Sequence, residues 1–203
     1  MVSTEMLALF PSVSHTDYHC ATPCMPVFSV GRAGGTGAAY VLPRLESVDA
    51  LERVMPSMGY AAPRLDPPWG GQRGGVEVVG PGGEGGVAVA FYVVLGRSDV
   101  EGTWRWEVAV RMVKGLGLGL GEHPPEEDPG AACAAVAAYL ALGEGAKKRV
   151  WRHRFNVVQK GGQSSGRECV VGVEVVLEKG GEGVQSLMLS GTAVKVMEGV
   201  VEY

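Results

Sequence analysis

The run Gly130-Ala131-Ala132-Cys133-Ala134-Ala135-Val136-Ala137-Ala138-Tyr139-Leu140 carries no charged side chain on any face. A helix without a polar stripe has nothing to offer water, so it has to be surrounded by protein. Alanine also lets neighbours approach the helix axis from every side. The ends of the helix are marked in the sequence: Asp128 suits an N-cap, Pro129 the first helical position and Gly143 the C-terminus, which predicts a helix over 129–142. The material that encloses it reads mostly as strands. Residues 87–95 form a near-continuous apolar run, and 103–112 alternate through Trp104, Trp106, Val108 and Val110. Further strands are predicted at 150–158, 169–177, 184–189 and 193–203. The expected class is α+β: an antiparallel, barrel-like sheet curled around one central alanine-rich helix.

The connections fit that picture. Glycine supplies 32 of the 203 residues, more than double an average usage of roughly 7%, without the triplet period of collagen. Most glycines therefore read as turns between short strands, with a hairpin expected at Gly96-Arg97-Ser98-Asp99 and turns at 161–166 and 180–183. In Gly115 to Gly121 every second residue is glycine, which leaves one face bare, and close packing and disorder both stay open. Residues 1–38 show no sustained period and read as an irregular extension or edge segment, with the folded lobe over 39–203. Within the lobe, Ser47 caps a short helix at 48–55, and 64–86 read as loops around a strand at 76–79.

Composition removes several classes of function. Hydrophobic residues make up 46% and charged residues 20%, values of a chain that folds. Eighteen basic against 22 acidic residues, a net charge of −4, leave no footprint for nucleic acid or an anionic membrane surface. No basic n-region with an apolar run opens the sequence, and no stretch has the length of apolar residues that a membrane helix needs. The four cysteines are sparse and lack a framework spacing, so reduced thiols and a cytoplasmic location are expected.

Several clusters could carry chemistry. Glu127 and Asp128 run straight into the helix, at the positive end of its dipole. One reading is an N-cap with an acidic neighbour. The other is an anion pocket, in which the N–H groups of Gly130, Ala131 and Ala132 hold a substrate carboxylate while Asp128 orients it or moves a proton. Cys133, one turn in, is either a small buried hydrophobe or a thiol activated by the dipole. Cys169, on an apolar strand, reads as packing, and His123 and His153 as isolated structural or solvated histidines. His15-x3-His19-Cys20-x3-Cys24 gathers four zinc-ligand types but matches no strong spacing, so neither a metal nor a cofactor is expected. Gln159 to Arg167 is a hairpin turn or an anion cradle closed by Arg167.

The segment Glu127-Asp128-Pro129-Gly130-Ala131-Ala132-Cys133-Ala134, leading to Ala137-Ala138-Tyr139-Leu140, resembles the EDPxTGSA…AYL signature of the PhzF-like isomerase family, named for phenazine biosynthesis. Other elements of that family follow in order: Arg111-Met112-Val113, the stretch Phe155 to Arg167, and Gly191 to Gly199. The resemblance covers about 104–200 and implies the second, C-terminal lobe of the diaminopimelate-epimerase-like fold. It further implies a cofactor-independent isomerase acting on a small carboxylate-containing metabolite, with Asp128 at the family's active-site aspartate position. Ala131 stands where the family has threonine and Cys133 where it has serine. The NLSET segment, which carries the acid–base glutamate of the first lobe, and the GHAT segment do not occur in these residues. A homodimer that rebuilds the two-lobed cleft, a separate first lobe, or a catalytically silent lobe kept as a binding or assembly module are the resulting expectations.

Overall fold

Alternation and turn chemistry place the elements. The computed structural model describes Leu7 and residues 10–19, 27–31, 37–55, 79–80, 83–84, 88–113, 129–148, 150–160 and 169–191. Among them the order is β1 (Val27–Gly31), β2 (Gly37–Val41), α1 (Val48–Arg53), β3 (Val79–Gly80), β4 (Gly83–Glu84), β5 (Ala88–Val100), β6 (Thr103–Val113), α2 (Pro129–Lys148), β7 (Arg152–Gln159), β8 (Cys169–Leu177) and β9 (Val184–Gly191). Seven strands form one sheet in the order β1-β2-β5-β6-β7-β8-β9, while β3 and β4 pair with each other.

This sheet is mixed, where an antiparallel one was expected: β2 runs parallel to β5, and β6 parallel to β7. The physical reason for the second case is α2 itself. A helix inserted between neighbouring strands returns the chain to its starting end, which makes those strands parallel. The sheet also curls into a half-barrel. Seven flat strands would span roughly 29 Å, yet both edge strands β1 and β9 reach α2, whose diameter is about 10 Å.

The concave side forms the inner core. Trp106, Val108 and Val110 of β6, Phe155 and Val157 of β7, and Val173, Val175 and Leu177 of β8 close on Ala132, Cys133, Ala135, Val136, Ala137, Leu140 and Ala141 of α2. The other side of β2, β5 and β6 forms an outer core, where Val41, Phe91, Ala109 and Val113 meet Phe10, Val13, Leu45, Leu51 and Val54. Phe10 and Phe91 meet edge to face at 4.9 Å. Within residues 1–38, Val27–Gly31 is therefore an edge strand of the sheet and Phe10 and Val13 are buried.

Local signals explain most boundaries. Ser47 caps α1 by accepting from the Ala50 N–H at 3.1 Å, and Arg111 donates to the terminal carbonyls of Leu51 and Glu52, satisfying groups that a helix end leaves open. The β5–β6 hairpin does not turn at 96–99. It turns at Glu101-Gly102, where both φ values are positive, 53° and 75°, as a tight two-residue hairpin requires. Nor does Gly143 end α2, which continues to Lys148. A Glu144–Arg97 ion pair at 2.9 Å anchors the extra turn, so tertiary contact overrides the glycine. The expected strand at 193–203 and the stretch 115–121 lie outside the described residues. Among the described residues, no helix is long and apolar enough to cross a membrane.

Candidate functional site

The direction of α2 decides which groups can meet. Arg97, the partner of Glu144 near the C-terminal end of α2, registers with Trp106 close to the start of β6. The helix thus runs antiparallel to β6 and β7, and its N-terminal end faces the opposite mouth of the half-barrel. That mouth is also where β6 ends at Val113, and where Gln159 of β7 pairs with Cys169 of β8.

The N-terminal end carries small side chains. Gly130 and Ala131 are half-buried, and Ala132 and Cys133 have no exposed surface. Gly130, Ala131 and Ala132 contribute only a hydrogen and methyl groups, so their side chains add little bulk around the first turn. Glu127, Asp128 and Arg167 lie outside the described residues. The connection that carries Arg167 is bracketed by Gln159 and Cys169 at this same mouth. Cys133 belongs to the inner core together with Val136 and Val173.

Cys169 corrects the sequence reading, because it is an exposed free thiol rather than a packed one. By alternation it shares the inward side of Val171, Val173 and Val175, but it is the first residue of β8, where the core has given out. His15 lies in a short 3-10 turn, and His19 Nδ1 is 2.9 Å from Glu46 Oε1 at the surface. Among the described residues no group of His, Cys, Asp or Glu is placed to hold a metal ion; Cys20, Cys24 and His123 lie outside them.

The C-terminal end of α2 is crowded with side chains. Trp106 stacks on Phe155 at 5.5 Å between ring centroids, and the Arg97 guanidinium lies 5.4 Å from the centre of the same indole. The Trp106 indole N–H donates to His153 Nδ1 at 3.3 Å, and the Nε2 of His153 sits 3.1 Å from the Val150 carbonyl. Nε2 therefore carries the proton and Nδ1 accepts, the arrangement of a neutral imidazole. Complete burial pushes the pKa of His153 below its ordinary 6.5. The sequence reading missed this end because Arg97 looked like part of a turn. A glycine directly after an apolar run was the available signal, since it marks a bulge as readily as a hairpin.

Comparison of the chain with protein-family models, with curated proteins and with solved structures gives no match.

Proposed function

We infer that this chain is a PhzF-like lobe whose α2 N-terminus receives the carboxylate of a small metabolite, in an isomerase that moves a proton at the carbon next to that carboxylate. The observation that carries this reading is the half-buried Gly130-Ala131 turn at the mouth of the half-barrel, whose side chains are a hydrogen and a methyl. In this reading Asp128, which precedes Pro129, orients the substrate or moves the proton. Glu127 and the N–H groups of Gly130, Ala131 and Ala132 line the site, Arg167 adds a guanidinium, and no cofactor takes part. A homodimer with two such mouths face to face supplies both walls of the cleft.

One observation favours a second reading, a silent lobe that binds or assembles without catalysis. Cys133 is fully buried in the inner core, the usual setting of a cysteine that packs as a small hydrophobe. Deuterium exchange decides between the two. The protein is incubated in D2O with a panel of small 2-substituted and unsaturated carboxylic acids, and label at the carbon next to the carboxylate is read by NMR. Exchange that is lost in Asp128→Asn supports the isomerase, and its loss in Cys133→Ala as well assigns the thiol a part in proton transfer. Binding without exchange supports the silent lobe. A solution mass of one chain overturns the homodimer.

A further inference from the structure

A pocket of about 320 Å³ opens beside the C-terminal half of α2, walled by Val94, Leu140 and Trp106 and flanked by Arg44, Arg97 and Glu144. The volume is at the lower end of the range for small-ligand sites, roughly 300–1,000 Å³. Glu144 stands about 21 Å along the helix from Gly130, so this pocket is separate from the mouth discussed above.

Two backbone features aim arginines into it. Along β5, Ala90, Tyr92 and Val94 face the helix; the register then slips between Val94 and Gly96, so that Arg97 pairs with the inward-facing Trp106. Leu95, the extra residue of this bulge, is turned out and 48% exposed. Re-aiming a side chain is what a bulge does. Without it Arg97 would point to the outer side. Arg44 arrives from the other flank, bridged to Tyr92 of the inner core.

The electrostatics are unequal. Arg97 is paired with Glu144 at 2.9 Å. Arg44 has a buried Nε without a hydrogen-bond partner, and among the described residues no carboxylate pairs with its guanidinium. A buried donor left in that state is costly, and an oxyanion relieves it. Among the described residues that line the pocket, two guanidinium groups stand against one carboxylate, and the negative end of the helix dipole nearby disfavours a dianion. Trp106 stacks on Phe155, lies 5.4 Å from the Arg97 guanidinium and is 3% exposed, so little more than its edge is left for a ligand.

We propose that this pocket binds a small organic monoanion, its carboxylate held by Arg44 and its apolar part lying against Val94, Leu140 and the edge of Trp106. Calorimetric titration of the full chain with benzoate, and with inorganic phosphate as a probe lacking the apolar part, tests it. Benzoate is expected to bind more tightly than phosphate. Arg44→Gln should weaken benzoate roughly tenfold or more, the loss of a charge-assisted hydrogen bond. Glu144→Gln should tighten it several-fold by releasing Arg97, a gain that a misfolded variant does not produce. Asp128→Asn should leave it unchanged. Equal benzoate affinity in wild type and Arg44→Gln, phosphate binding as tightly as benzoate, or an equal loss in Asp128→Asn would each overturn the proposal.

Discussion

The two faces of the sheet share β5 and β6 yet are covered in opposite ways. Inside, a 20-residue helix from later in the chain is enclosed by strands on nearly all sides. Outside, among the described residues, a layer from earlier in the chain, Phe10 to Val54, covers β2, β5 and β6. Among the described residues nothing covers the outer side of β7 and β8, where Arg154 pairs with Glu174 at 2.7 Å and Asn156 with Glu107 at 2.9 Å. Exposed pairs of this kind contribute little to stability. The contrast teaches that the helix is what holds the whole sheet in one curve, whereas the outer layer buttresses one half of it.

Substitutions can break or sharpen that contrast. The largest effect is expected inside: Phe155→Ala removes a ring that is 2% exposed and should cost about 4 kcal/mol, read as a fall of the single main transition in denaturant unfolding. Leu51→Ala in the outer layer should cost about 3 kcal/mol. If the outer layer is only a buttress, hydrogen exchange should quicken first in 10–54 and spare the amides of β8. Equal acceleration in both regions would show the two cores to be one cooperative unit.

The next effect is a pH dependence confined to the inner side. His153 has its pKa lowered by burial relative to the ordinary 6.5. The unfolded chain therefore binds a proton that the native state refuses. Stability is complete above about pH 6.5 and is lost as the pH falls below it, by up to about 1.4 kcal/mol per unit. His153→Gln, which keeps an acceptor for the Trp106 indole, should flatten that slope; an unchanged slope would place its origin elsewhere. Smallest is Ser47→Ala, which deletes the α1 cap and should cost about 1 kcal/mol in the outer layer, measurable as a shift of the thermal midpoint.

The sequence pattern made the central helix and its enclosure legible, because eleven residues without a charge admit few environments. The strand at 169–177 and the Ser47 cap were legible for equally local reasons. Three features depended on distant partners and were not. Gly143 reads as a terminator until Arg97 supplies Glu144 with a counter-charge. Gly96 reads as a turn until Glu101-Gly102 is seen to take that role. The parallel pairing of β6 with β7 follows from the helix between them and not from either strand's residues. Of the site residues, the placement of Gly130, Ala131, Ala132 and Cys133 at the start of α2 followed from Asp128-Pro129. The pocket beside Arg44 had no local signature, since its walls come from four separate stretches of chain.

The parallel seam between β6 and β7 has a consequence for how the chain assembles. The β5–β6 hairpin closes over two residues and β7, β8 and β9 follow one another as antiparallel neighbours, so these two half-sheets flanking the seam can each zip from nearby sequence, whereas the seam must wait until α2 has formed and crossed over. The helix is then a late keystone: variants that slow its formation should delay the joining of two preformed half-sheets without delaying the half-sheets themselves, an order that pulse-labelled hydrogen exchange in β5 and β8 against the seam amides of β7 reads directly.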